Sequence, residues 1–274
     1  MSTDYRAISA ENERKLGTDR ASRMSQVSMY ADTAHFVFEI LQNADDAGAT
    51  EICFDVRSDQ LIIEHNGRPF TSENVEGISY FGKGKTDITK IGHFGLGFKS
   101  VFAYTASPRI HSGDESFELT DLYSLEAVSL PADLRRDRTR FVLPFDHETK
   151  RPAYIEPALL KKPTVARSEI AEKLTGLGPE TLLFTRNLAE IRWEAGGRPG
   201  HYLRYERCLP GGGKELRVVS ESSEEACFLV FDQSVDADKG EAPPTSRLVQ
   251  IAYRLTQKLA DGGVVCPVVG AKLF

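Results

Sequence analysis

No run of apolar residues in this 274-residue chain approaches the roughly 20 that a membrane-spanning helix requires, and its opening residues lack the apolar core of a signal peptide. Cysteine is sparse. Cys53, Cys208, Cys227 and Cys266 are scattered without a C-x-x-C spacing, which argues against zinc and disulfides and for free thiols in a reducing compartment. A soluble, cytoplasmic chain is therefore expected. There is no basic excess, since 34 lysines and arginines face 40 acids for a net charge of −6, and nucleic acid is not indicated as a partner. The chain also lacks a G-x-S-x-G elbow and a reactive-cysteine context. None of its six histidines has metal-ligand spacing or sits in a heptad pattern. Gly82-Lys83-Gly84-Lys85-Thr86 imitates a phosphate-binding P-loop, but Ser79 stands where the first glycine is required and no strand leads in. What remains is ordinary globular material, 41% hydrophobic and 27% charged, enough for one large domain or one domain plus part of another.

The chain is organised around HFVFEILQNADDAGA, His35 to Ala49. At 3.6 residues per turn, Ala34, Val37, Phe38, Ile40, Leu41 and Ala44 form a broad apolar face that should be buried. His35, Glu39, Gln42, Asn43 and Asp46 make a polar stripe along one side. Most such stripes are only solvated faces. This one contains no lysine or arginine, and a carboxylate one turn from an amide offers hard oxygen donors to a cation or a water. Gly48 is placed to stop the helix as a left-handed cap.

Around this helix the chain reads as follows. Residues 1–24 are a polar arm with helical potential near Ala10–Lys15, either mobile or packed on a partner. Glu51–Val56 and Leu61–Glu64 form a hairpin, followed by the loop His65-Asn66-Gly67-Arg68-Pro69. Thr71 caps a short helix through Gly77, with Asn74 at its third position. Tyr80–Gly92 is a long loop rich in glycine and lysine. Gly92, Gly95 and Gly97 then precede a helix at Phe98–Thr105, an arrangement that can close backbone N–H groups on an anion but can equally serve tight packing. Strands are expected at Arg109–His111, Ser116–Leu119, Thr139–Leu143, Leu182–Phe184 and Glu190–Trp193, with a helix at Ser168–Leu174. Gly196–Gly200 reads as a linker, after which the pattern is purely β. Asp236–Thr245 is a charged, proline-containing loop, and the sequence stops at Phe274 in what looks like an unfinished β element. The expected division is an arm (1–24), a main domain (25–198) and a β-rich extension (199–274) that begins a second domain.

Each motif is weak alone, but EILQNADDAGA, HNGRPF and IGHFGLGFKSVF occur in that order. Together they resemble the GHKL ATPases (gyrase, the ninety-kilodalton heat-shock chaperone, histidine kinases and MutL). Within that superfamily the wording is most similar to sacsin-like ATP-binding domains. The likeness runs from about Tyr30 to Trp193. Glu39, Asn43, Asp46 and Ala47 match the first block, and Gly92, Gly95 and Gly97 the phosphate-side block. Thr139 stands where the family has a threonine near the nucleotide base.

The resemblance implies an α+β fold: a two-layer α/β sandwich of the Bergerat type, with a mixed, largely antiparallel sheet and helices on one face. It implies ATP and Mg²⁺ as ligands, Asn43 holding the metal and Glu39 orienting and deprotonating the attacking water. The backbone from Gly92 through Gly95, Leu96, Gly97 and Phe98 would surround the phosphates, with Lys83, Lys85, Lys90 and Lys99 as nearby cations. One departure matters. The family's second block opens with an aspartate that accepts from the adenine amino group, and here that residue is His65, within His65-Asn66-Gly67. A neutral imidazole or Asn66 is then the expected acceptor. The implied function is Mg²⁺-dependent ATP hydrolysis driving conformational change or self-association, chaperone-like by analogy. A non-hydrolysing nucleotide module and the ATPase of a DNA-processing or defence system are the alternatives.

Overall fold

The computed structural model describes residues 3–16, 34–79, 96–120, 122–150, 157–210, 212–237, 245–255 and 268–271. It resolves into two units, one of Met1–Leu177 with Arg186–Gly200, the other of Gly178–Thr185 with His201–Phe274.

The first unit is a mixed, mostly antiparallel sheet with helices against one face. Its strands are β1 (Glu51–Val56), β2 (Gln60–His65), β3 (Arg109–Ser112), β4 (Glu115–Leu119), β5 (Leu125–Ala127), β6 (Thr139–Pro144) and β7 (Glu190–Ala195). They lie in the order β7-β1-β2-β6-β3-β4-β5. Among the described strands of this unit only β1 and β7 run parallel, joined in register from Glu51↔Glu190 to Val56↔Ala195. Strict alternation puts Ile52, Phe54, Val56, Leu61, Ile63, Phe141 and Leu143 in the core.

The helices are α1 (Tyr5–Leu16), α2 (Phe36–Asp46), α3 (Ser72–Ser79), α4 (Leu96–Lys99, continued as a 3-10 turn over Ser100–Ala103) and α5 (Pro163–Thr175). α2 packs on α4 and α5, and α5 reaches β1 and β7. α2 ends as its sequence dictates. Gly48 takes φ +77°, Gly48 N–H donates to Asp45 O and Ala49 N–H to Ala44 O, each at 2.9 Å, the paired bonds of a Schellman cap. The expected apolar face is off by one residue in one respect. Phe36 is buried, whereas Phe38 is 43% exposed with the Lys173 ammonium 4.6 Å above its ring, a cation–π contact. At α3 the Asn74 side-chain oxygen reaches back to Thr71 N–H at 2.9 Å, doing what glutamate does in a capping box.

Other boundaries differ for identifiable reasons. α5 begins five residues before Ser168 because Pro163 occupies its first position, where a missing N–H costs nothing. Leu182–Phe184 is not a strand; Gly178-Pro179 starts a 3-10 turn over Pro179–Leu182. Gly196 and Gly197, at φ +61° and +75°, form a tight two-residue turn and not a loose linker. The N-terminal helix is docked and not a loose arm. Tyr5 packs against Phe117 with its ring tilted 50°, its hydroxyl donates to Glu115 at 2.6 Å and accepts from Ser116 N–H at 3.0 Å, and buried Asn12 donates to Tyr123 O at 3.2 Å.

The second unit is an antiparallel meander, β8 (Arg198–Cys208), β9 (Lys214–Ser220), β10 (Glu225–Ala237), β11 (Thr245–Leu255) and β12 (Val268–Ala271), in that order. The Pro179–Leu182 turn is tied to it by Arg254 on Glu180 at 3.2 Å and by Arg204 donating to the Leu182 and Thr185 carbonyls. Among the described residues no helix is long and apolar enough to cross a membrane.

Candidate functional site

The C-terminal end of α2 is where the sequence blocks meet. Arg68 N–H donates to Ala47 O at 2.9 Å and its Nη2 to Asp46 O at 2.8 Å, so the loop after β2 lies flat on the helix end. Only glycine permits this approach at position 67. A Cβ there would sit 2.9 Å from Ala47 Cβ and 3.0 Å from His65 Nδ1.

His65 ends β2 and is 2% exposed. It pairs in register with Thr139 on β6, which is also fully buried. Its ring lies 6.1 Å from Phe141, and Phe141 in turn touches Phe98 of α4 at 5.9 Å and Phe70 at 6.2 Å. The Thr139 and Ser112 hydroxyls are 2.5 Å apart, and Ser112 Oγ accepts from Phe70 N–H at 2.9 Å. Asp46, His65, Gly67, Phe98 and Thr139 thus converge on the helix-covered face of the sheet. Asn43 and Glu39 stand on α2 about one and two turns before its end, half-buried like Asp46. Leu96 and Gly97 open α4 just before Phe98. Lys83, Lys85, Lys90, Gly92 and Gly95 lie outside the described residues.

Three expected roles are altered by this geometry. His65 Nδ1 is occupied, accepting the Gly67 N–H at 3.1 Å. Burial first, then the Arg138 charge, holds the ring's pKa down at about 4, so it is neutral at any ordinary pH. Asn66 does not reach toward a base. Its oxygen accepts from Thr50 N–H at 2.8 Å and Glu51 N–H at 3.1 Å while its amide donates to Thr50 Oγ1 at 2.7 Å, so it clasps the start of β1. Lys99 is not a solvent-facing cation for phosphate. It is 0% exposed, and its ammonium donates to the carbonyls of Ser79 and Leu122.

A residue that periodicity passed over anchors the helix end. Asp45, 8% exposed, accepts from the N–H groups of Asn187 at 2.7 Å and Leu188 at 2.8 Å through one oxygen and from Arg186 at 2.9 Å through the other. Asn187 Nδ2 returns a bond to Asp45 O at 2.9 Å. The turn before β7 is thereby fixed to the helix that bears Glu39 and Asn43. Nothing local in the sequence marks this, because its partners lie 141 to 143 residues away.

The donor set suits a hard cation that brings its own ligands. Glu39, Asn43 and Asp46 offer oxygens, and among the described residues no group of three or more His, Cys, Asp or Glu side chains is placed to hold a metal alone. The sheet's other face carries something different. Arg138 and Arg192 pair with Glu51, and Arg140 with Glu64 and Asp133, around a cavity of about 280 Å³. Every one of these arginines is ion-paired, so the cavity is a neutralised network and not an anion trap.

No family model matches the chain. It is 34% identical over 145 residues to human sacsin, an alignment spanning 43% of this chain and 3% of sacsin. It is 31% identical over 106 residues to protein NO VEIN of Arabidopsis thaliana, spanning 36% of this chain and 4% of that protein. The chain thus corresponds to a small fraction of either relative's length. The B subunit of DNA gyrase from Myxococcus xanthus aligns over 75% of this chain and 63% of its own, at 10% identity and a TM-score of 0.38, a distant likeness. The sequence matches thus make this chain similar to short segments of sacsin and of protein NO VEIN.

Proposed function

We propose that the region at the end of α2 binds ATP with Mg²⁺ and hydrolyses it, and that turnover drives conformational change or self-association in a longer protein. The observation that carries this is the junction of Gly67 on Ala47, which brings a helix lined with oxygen donors against the strand ends bearing His65 and Thr139. The matches to sacsin and NO VEIN support the same reading.

In this account Asn43 holds the metal through its amide oxygen, and Mg²⁺ when bound neutralises charge on the phosphate oxygens. The chain's own residues do the rest. Glu39, one helical turn before Asn43, orients a water and accepts its proton. The Asp45 clasp fixes the helix so that both groups keep their register. The buried Thr139 and Phe141 shape the base end and exclude water from it.

Glu39→Ala should cut phosphate release by roughly 10²- to 10⁴-fold, the usual worth of a general base, while nucleotide affinity stays within about threefold. Unchanged turnover in that variant contradicts the assignment. A second reading, a module that binds nucleotide without hydrolysing it, is favoured by Lys99 being turned into the core and not toward solvent. It predicts binding with no turnover in the wild type.

A further inference from the structure

We propose that Tyr104 is a positioning residue for hydrolysis, its hydroxyl holding the first turn of α2, and with it Glu39, in place for the attacking water. The inference rests on the ATPase reading above and deepens it by naming what fixes the N-terminal end of the helix, as Asp45 fixes the other.

The entry to α2 is strained. Ala34, fully buried, takes φ +52°, a left-handed conformation that a residue with a Cβ keeps only where its surroundings impose it. The Tyr104 hydroxyl supplies the restraint. It accepts the Ala34 N–H at 2.7 Å, so its own proton goes to Glu169 of α5, whose carboxylate accepts at 2.8 Å. The Lys161 ammonium donates to the other Glu169 oxygen at 2.9 Å, and the Lys161 N–H to Ala103 O at 2.9 Å. Tyr104 also closes the 3-10 turn that continues α4, its N–H on Val101 O at 2.8 Å, and its ring meets Phe36 edge-on at 5.2 Å. One buried hydroxyl thus joins the start of α2, the end of the α4 segment and α5.

This restraint bears on Glu39 more than on Asn43. Val37 N–H donates to Ala34 O at 3.1 Å and Phe38 N–H to His35 O at 3.0 Å, whereas Glu39 N–H reaches His35 O only at 3.5 Å. Glu39 therefore stands on the turn that Ala34 launches, held there by a long bond. Asn43 lies one turn further on, inside the regular helix, and Asp45 secures the end beyond it. Without the hydroxyl, the Ala34 N–H loses its acceptor where water does not reach, and the backbone relaxes out of its left-handed turn. That loosens the turn bearing Glu39 and leaves Asn43 where it was. A misplacement of about 1 Å costs a reacting group roughly a hundredfold in rate, while binding through Asn43 is spared.

The test is steady-state ATPase activity and calorimetric ATP affinity, with Mg²⁺, of Tyr104→Phe, which removes the hydroxyl and keeps the ring against Phe36. Its kcat should fall at least about tenfold while affinity stays within about threefold of wild type. In a Glu39→Ala background the same substitution should change the remaining rate by less than about twofold, because the group being positioned is gone. Glu169→Ala should lower kcat in the same way, and Glu169→Gln, which keeps an acceptor for the hydroxyl, should recover most of it. In the ligand-free protein, amide hydrogen exchange at Val37, Phe38 and Glu39 should quicken in Tyr104→Phe while that at Ala47 does not. A wild-type kcat in Tyr104→Phe, affinity falling in step with kcat, unchanged exchange at all three amides, or a further large loss in the Glu39→Ala background overturns the inference while leaving the ATPase reading intact. A wild type that binds ATP without hydrolysing it, or does not bind it, removes the ATPase reading and the positioning role together.

Discussion

Replacing Asp45 by alanine removes the acceptor for three backbone N–H groups at once, and the structure says how much each loss matters. Leu188 is fully buried, so its N–H is stranded without water, at a cost of about 1–3 kcal/mol. Arg186 and Asn187 are exposed residues whose N–H groups regain water, so each loses only the net worth of a hydrogen bond, about 0.5–1.5 kcal/mol. The sum centres on roughly 3–4 kcal/mol. For a chain of this size that lowers the melting temperature by about 6–15 °C. Asp45→Asn keeps one oxygen for Asn187 and Leu188 and turns an amide toward Arg186 N–H, so it should fall between wild type and alanine. Thermal unfolding followed by circular dichroism measures all three. An alanine variant melting within about 2 °C of wild type, or an asparagine variant less stable than alanine, refutes the view that this carboxylate clasps the turn before β7.

Acid should destabilise the fold over a defined window. His65 and His111 both have pKa values held down at about 4, His65 by burial and Arg138, His111 by burial and the Arg140 and Arg109 charges against an opposing pull from Asp133. The unfolded chain takes up these protons near pH 6.5 and the folded chain does not, so stability is complete above that value and declines as pH falls toward about 4, by at most roughly 1.4 kcal/mol per pH unit per ring. A melting temperature flat from pH 7 to 5, or an unchanged slope in His65→Gln, contradicts this. Gly67→Ala should force the helix end and the His65 strand apart, costing about 1–3 kcal/mol of stability and weakening nucleotide binding in proportion; alanine tolerated on both counts means the junction is not tight.

Much of this architecture was legible because local chemistry decided it. Alternation in Glu51–Val56 and Thr139–Pro144 gave strands with the correct faces, and Gly48 ended α2 where a left-handed residue was needed. The order of the three blocks pointed to the region where His65, Gly67, Phe98 and Thr139 meet. What sequence could not show was set by distant partners. Asp45 looks like any helical acid until Arg186–Leu188 fold against it. Lys99 looks like a phosphate ligand until its ammonium is found between two buried carbonyls. His65 looks like an acceptor until the Gly67 N–H takes the nitrogen that would accept. Phe38 and Phe36 differ by 200° around the helix, and which of them faced the core depended on where α5 packed.

The central claim is that α2 carries a Mg²⁺-dependent nucleotide site, and isothermal titration calorimetry with a non-hydrolysable purine nucleoside triphosphate tests it most directly. The account predicts saturable binding with one site per chain, weakened at least about tenfold when Mg²⁺ is chelated and by a similar factor in Asn43→Ala with Mg²⁺ present. Chelation should then have little further effect on that variant. Binding that ignores both the metal and Asn43, or no binding by a folded chain, contradicts it.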